Sequence, residues 1–339
     1  MTVLVTLDDY ERAARDKFEP AAWEYVNGGA ADEHTLRWNR ESFSRIRLSP
    51  RMCRDVSAVD TSVSVLGQRL RHPILLAPVA AHNLAHPDAE SGAARGAKAA
   101  GAGMVLSSYT SQRIETVAAT GVSPLWFQFY MQERAATADL LADAVRAGCS
   151  AIVVTIDTPT GGARDRMARA GFDFPPGLPY RTVEPGDNPI TWKDVEWIRA
   201  SIKVPLIVKG ILHPDDARLA AQHGADAIIV SNHGARNLDT APAAIDALPR
   251  IAEEVSGLPA VLFDGGVRRG TDVLKAMAFG AKAVLIGRPY VYGLAVGGAA
   301  GVTNVVQILT RELEQAMALC GVNRVDAITP ELIWRDASA

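Results

Sequence analysis

The chain has 339 residues, 48% of them hydrophobic and 22% charged, which suits a large buried core and excludes a disordered protein. A net charge of -3 and a pI near 6.2 give no general basic field, so nucleic acid and anionic membrane surfaces are excluded as expected partners and a small ligand is favoured. Cys53, Cys149 and Cys320 are odd in number, far apart and outside metal-ligand spacing, which excludes a disulfide framework and fits a reducing compartment.

Thr6-Leu7-Asp8-Asp9 reads as a capping box, with Asp9 where Glu is usual, opening a helix through Lys17. Met1 to Val5 has no basic leader or long apolar run, so no secretory signal is expected. Trp23 to Ala30 reads as a helix ending in glycines, with Tyr25 near the turn as either a packing residue or a ligand contact. Short apolar runs then predict strands over 74–77, 104–107, 125–129, 151–155, 206–208, 227–230, 260–263 and 283–286. Ala-rich helices over 88–100, 138–147, 214–223 and 270–279 lie between them. Strands apolar on both faces and alternating with helices predict an α/β protein, a (β/α)8 TIM barrel with an N-terminal helical lead-in. One domain is expected over 1–339, with lead-in 1–70, barrel 71–290 and C-terminal helices 291–339. The uncharged stretch 289–310 is broken by Gly293, Gly297, Gly298 and Gly301, and reads as a barrel loop leading into a helix, not as a membrane span.

In such a barrel the functional side chains collect at the C-terminal strand ends. In order these ends carry Pro78-Val79-Ala80, Ser107 and Tyr109, Gln128 and Tyr130, Thr155 and Asp157, Lys209, Ser231 and His233, Asp264-Gly265-Gly266, and Gly287-Arg288. Arg268, Gly287 and Arg288 with the paired glycines after the last two strands suit a phosphate, because glycine lets backbone N–H groups approach and arginine supplies a fork of donors. Ser231-Asn232-His233-Gly234-Ala235-Arg236-Asn237-Leu238-Asp239 sets a proton acceptor three residues from a carboxylate clamp. His82 and His86 are spaced i, i+4, but no third ligand motif lies nearby and no metal is expected.

These motifs in this order resemble the FMN-dependent α-hydroxy acid oxidases and dehydrogenases, over nearly the whole chain. Tyr25, Ala77-Pro78-Val79-Ala80, Thr155-Ile156-Asp157-Thr158-Pro159, Val208-Lys209-Gly210, the Ser231 to Asp239 signature with Asn237 where Gln is common, Asp264 to Asp272 and Ile286-Gly287-Arg288-Pro289 carry the resemblance. It implies FMN at the barrel mouth. Pro78, Val79 and Ala80 would lie along the ring, Ser107, Gln128 and Thr155 at its polar edge, and Lys209 beside the end that becomes negative on reduction. Asp264, Gly265, Gly266, Arg268, Gly287 and Arg288, with Ser231 nearby, would hold the ribityl phosphate. Arg236 and Arg164 would anchor the substrate carboxylate, Tyr25 and Tyr130 would donate hydrogen bonds, Tyr109 would wall the pocket, and His233 would be the base with Asp157 as its partner.

The implied reaction is oxidation of an L-2-hydroxy acid, with O2 giving hydrogen peroxide or with another acceptor. An FMN-dependent isomerase of a phosphorylated substrate and a flavin-binding protein without turnover are the readings from other classes. The chain departs from the family where Ala163 replaces an arginine before Arg164 and where Met167 and Ala170 replace Asp and Asn, which leaves the anchoring of this loop open. The connection from Phe172 to Trp192 is short for the family and carries Pro175, Pro176, Pro179, Pro185 and Pro189, which predicts a more open mouth and a bulky or aryl acid such as a mandelate. The resemblance also implies a homo-oligomer, tetramer or octamer. The last residues, Asp336 to Ala339, are not a peroxisomal tripeptide, and a cytoplasmic location is expected.

Overall fold

A computed structural model of the chain describes residues 3–181, 187, 189–255 and 260–335. Pro185 and the terminal Asp336 to Ala339 lie outside the described residues. Eight parallel strands close into a barrel: β1 (Ile74–Leu76), β2 (Met104–Ser107), β3 (Leu125–Phe129), β4 (Ile152–Thr155), β5 (Leu206–Ile211), β6 (Ala227–Val230), β7 (Ala260–Asp264) and β8 (Ala283–Ile286), with β8 pairing β1. The pleat sends alternate residues of each strand inward and outward. Leu75, Val105, Trp126, Val153, Ile207, Ile229, Leu262 and Leu285 therefore fill the barrel interior, while Ile74, Phe127, Val154, Ile228 and Val284 pack outward under the helices. Burial on both faces is why the strands read as unbroken apolar runs.

Three helices precede the barrel: α1 (Leu7–Arg15), α2 (Pro20–Asn27) and α3 (His34–Arg45). The capping box at Thr6 and Asp9 is present, and α1 stops at Arg15, two residues earlier than expected. In α3, Asn39 exchanges side-chain hydrogen bonds with Asn232 at 2.9 and 2.8 Å, and Gly266 passes so close that a Cβ there would lie 1.8 Å from the Asn39 carbonyl oxygen. Asp239 accepts from Thr35 N at 2.8 Å and so caps the first turn of α3. The lead-in is thus built into the loops after β6 and β7.

Two features differ from the expectations. Val63–Val65 and Gln68–Leu70 form an antiparallel ribbon around Leu66-Gly67, both at positive φ, and Val65 and Leu70 join the interior cluster as a plug. The segment after β8 is not a loop, because the helix starts at once at Arg288 with Pro289 in its first turn and runs to Leu319. It bends at Gly297 and Gly298, which brings Gly293 and Gly301 into backbone contact. Those glycines are close-packing positions. The helix is long and apolar enough to cross a membrane, but its length packs against α1, Ala89–Ala100 and Gly270–Ala278. Among the described residues beyond Leu319, the helical elements are two short 3-10 turns, Val325–Ala327 and Pro330–Leu332.

Candidate active site

The turn after β6 takes His233, Gly234 and Ala235 through φ of 57°, 61° and 62°, a left-handed run that costs energy for the two non-glycine residues and turns the chain back sharply. His233 Nδ1 meets Asp157 Oδ1, beyond the end of β4, at 2.8 Å. Room for that carboxylate comes from Gly210, where a bulge interrupts the pairing of β5 with β6 at φ 110°. A Cβ at position 210 would lie 2.5 Å from Asp157 Cβ and 2.6 Å from its Cγ. Burial alone would raise the Asp157 pKa, but the charges of His233 and Lys209 and the His233 hydrogen bond outweigh it and hold the carboxyl below its usual range. Burial lowers the His233 pKa, against the pull of Asp157 and with the help of Lys209, so the imidazole is neutral near pH 7 and its Nε2 is free to take a proton.

Beside this pair, Lys209 Nζ donates to Ser231 Oγ at 2.9 Å and lies 3.5 Å from Asp264 Oδ2, while Ser231 Oγ donates to Asp264 Oδ1 at 2.6 Å. The His233 backbone N–H also donates to Ser231 Oγ, at 3.0 Å. Ser231 is fully buried at the base of the cavity and does not itself line the wall. It ties three strand ends together instead.

The cavity above this network is about 640 Å³, in the range of small-molecule sites. Its wall includes Pro78, Val79 and Ala80, then Ser107, Gln128, Thr155 and Lys209, and Asp264, Gly265, Gly266, Arg268, Gly287 and Arg288. Gln128 Nε2 donates to Thr155 Oγ1 at 2.9 Å, and Ser107 Oγ accepts from Tyr109 N at 3.1 Å.

The opposite side is made by the turn between α2 and α3. Arg236 Nη1 donates to the carbonyls of Tyr25 and Gly28, and Arg288 donates to those of Val26, Gly28 and Gly234 at 2.9 to 3.0 Å. Arg164 Nε donates to the Arg236 carbonyl at 3.2 Å. Among the described residues neither Arg164 nor Arg236 has an ion pair, and both line the cavity. Burial, then the charge of Arg164, pushes the Arg236 pKa down to about 9, so its guanidinium remains charged at neutral pH. Two half-buried like charges lining one cavity make a receptor for an anion.

The mouth is aromatic. Tyr25 stacks on Phe172 with ring centroids 4.4 Å apart and meets Phe174 edge-on at 4.9 Å, while Tyr109 meets Tyr130 at 5.3 Å and Phe174 at 5.6 Å. Arg181 lies over the Phe174 ring at 4.6 Å. Of the connection from Phe172 to Trp192, Phe172, Asp173, Phe174 and Arg181 line the cavity, while residues 182–186 and 188 lie outside the described residues. Burial and the negative charge of Asp157 push the Tyr130 phenol far up, so it stays protonated and able to donate.

The phosphate end has its own signature. Arg268 Nε is buried and makes no hydrogen bond, its nearest ion-pair partner being Glu11 Oε2 at 3.9 Å. Gly265 and Gly266 sit at φ 112° and 82° with Cβ positions crowded by neighbours, and the helix beginning at Arg288 presents its N-terminus to the same end. This donor set fits a phosphorylated ribityl chain, and the barrel mouth fits a flat ring. The model of one protein family, the FMN-dependent dehydrogenases, matches residues 14–188 and 182–335. The chain belongs to the FMN-dependent dehydrogenase family, among its 2-hydroxy acid oxidases. FMN is its cofactor. The chain is 45% identical to an L-lactate oxidase of Nostoc sp. over 96% of each chain, and 42% identical to the human 2-hydroxyacid oxidase 1 over 99% of this chain and 98% of the other. A solved mandelate oxidase variant with (S)-mandelic acid is 40% identical, with a TM-score of 0.93 over 99% of this chain and 100% of that one. Mandelate oxidase with benzoyl-formic acid is also 40% identical, with a TM-score of 0.91 over 98% of each chain.

The structure brings Tyr25, Tyr109, Tyr130, Arg164, His233 and Arg236 to one cavity with the flavin-side residues, and puts Asp157 behind His233. His82 is engaged on both ring nitrogens, by Glu90 at 3.1 Å and Tyr290 at 2.9 Å, and is a buried structural histidine. Sequence reasoning missed Phe174, Met167 and Arg181 on the wall, and Glu24, Glu33 and Arg166 behind it. The aromatic pair Phe172 and Phe174 just after the arginine loop was the available signal.

Proposed function

We propose that the protein oxidises an aryl-substituted L-2-hydroxy acid of the mandelate class to its 2-oxo acid, with O2 as final electron acceptor and hydrogen peroxide as product. The observation that carries this reading is the juxtaposition of two uncompensated arginines, a neutral His233 and an aromatic wall of Tyr25, Tyr109, Phe172 and Phe174. The carboxylate of the substrate sits between Arg164 and Arg236, each offering N–H groups that no described residue occupies. Tyr130 and Tyr25 donate to the acid or its hydroxyl. His233 Nε2 takes the proton the substrate loses, and Asp157 stabilises the resulting imidazolium across the 2.8 Å hydrogen bond. FMN, held by the residues of β7, β8 and their loops, supplies the two-electron acceptor. Lys209, on the cavity wall, would stabilise the negative charge that acceptor gains.

The aromatic wall supports the aryl preference, because a phenyl side chain stacks there and a methyl group leaves the rings uncovered. The test is a panel of glycolate, (S)-lactate and (S)-mandelate with peroxide measured against substrate consumed. The reading expects the highest kcat/KM for mandelate and one peroxide per turnover. Higher kcat/KM for glycolate or lactate overturns the aryl assignment, and fast flavin reduction with negligible reoxidation in air overturns the oxidase assignment.

The proposal extends to a single barrel domain over 1–339, supported by the docking of α3 onto the loops after β6 and β7. A cytoplasmic location, supported by the free thiols of Cys53, Cys149 and Cys320, and a homo-oligomer are part of the same reading. Cell fractionation and light scattering test location and a tetramer or octamer.

A further inference from the structure

The loop that carries Arg164 is firmly docked. Its backbone is held by Ala31 N donating to the Ala163 carbonyl at 2.7 Å. Its side-chain anchor is Arg166, in the short helix Asp165–Arg169 that Arg164 caps. Arg166 Nε donates to Glu24 Oε2, and its Nη1 donates to Glu33 Oε1 and Oε2 at 3.1 and 3.3 Å. Glu24 adjoins Tyr25 in α2, and Glu33 precedes the first residue of α3 and also accepts from Gly29 N at 2.8 Å. The same turn holds Arg236 through its carbonyls and the Arg164 loop through its carboxylates.

This matters because Arg164 and Arg236 repel each other in a buried cavity until an anion arrives. A loop free to move would relieve that repulsion by swinging Arg164 outward. Two ion pairs to one rigid turn oppose the motion. All three partners are partly exposed, so their worth lies in orientation rather than in stability.

We propose that Arg166 is a positioning residue that holds Arg164 against the repulsion of Arg236 and so sets the spacing of the carboxylate receptor. It works through Glu24 and Glu33. The inference rests on the reading of Arg164 and Arg236 as carboxylate anchors. It adds a residue that does not itself touch the substrate.

The test compares (S)-mandelate with its methyl ester, which keeps the aryl group and hydroxyl but has no charged carboxylate. In Arg166→Met the KM for mandelate is expected to rise roughly tenfold or more, with kcat within about twofold, unchanged kcat/KM for the ester and full retention of bound FMN. Arg166→Lys restores most of the mandelate affinity, and Arg166→Met adds little in a Glu24→Gln background. If Arg166→Met does not fold, Glu24→Gln carries the test, with a smaller rise in KM for mandelate alone. An equal loss for acid and ester, or release of FMN, overturns the proposal in favour of a merely structural role. Arg164→Leu, run alongside, separates the two levels. A raised mandelate KM in Arg164→Leu but not in Arg166→Met overturns the clamp alone, and an unchanged KM in Arg164→Leu overturns the anchor reading and the clamp with it.

Discussion

The two sides of the cavity are built by different means. The side formed by β5, β6 and β7 is assembled from strand ends, where Lys209, Ser231 and Asp264 are joined by hydrogen bonds and the barrel fixes each backbone. The side formed by the α2–α3 turn and residues 161–181 has no strand under it. There arginines hold carbonyls and carboxylates of a turn, and aromatic rings pack on one another. The contrast assigns chemistry to the rigid side, where an error of a fraction of an ångström is costly, and selection to the side whose contacts are exchanged one side chain at a time.

The contrast breaks most readily at His233. His233→Gln keeps a hydrogen-bonding group but removes the base, and flavin reduction is expected to slow by about 10²- to 10⁴-fold for every acid alike. A loss confined to aryl substrates contradicts the division. Next comes Arg236→Lys, which preserves charge but not the fork. A fall in kcat/KM of roughly a hundredfold is expected, expressed mainly in KM, as measured by steady-state kinetics.

Asp157→Asn sharpens the rigid side through pH. Below its pKa His233 is protonated and cannot accept a proton, so reduction fails on the acid side, below the usual imidazole value of about 6.5. Asp157 is the contribution that raises this pKa. Its removal moves the acid limb of the kcat/KM profile to lower pH while lowering the plateau, and a limb displaced upward contradicts the pairing. The smallest effect is expected from Phe174→Ala, which opens the aromatic wall. Mandelate kcat/KM should fall severalfold to about a hundredfold with lactate nearly unchanged, a difference of about 1–3 kcal/mol.

The same contrast explains what could be read from the residues. Six of the eight strands end within a residue of their expected positions with identical starts, because apolar runs between helices are a local signal. His233, Lys209 and Asp264 follow from those ends. Arg166 and its partners do not, because Glu24 and Glu33 are 142 and 133 residues away in the chain and no local pattern announces the pairing. Gly293 and Gly301 were misread for a related reason, since a glycine that permits close packing looks the same in sequence as one that breaks a helix. The ribbon at 63–70 is six paired residues around a two-residue turn, too short to stand out from the lead-in.

The most direct measurement is anaerobic stopped-flow reduction of the bound flavin by (S)-mandelate in the wild type, His233→Gln and Phe174→Ala, resolving the reduction rate constant from the substrate Kd. We expect bleaching in the wild type, a collapsed rate constant with little change in Kd for His233→Gln, and a raised Kd with a nearly intact rate constant for Phe174→Ala. An undiminished rate constant in His233→Gln, or no bleaching by mandelate in the wild type, would contradict the assignment.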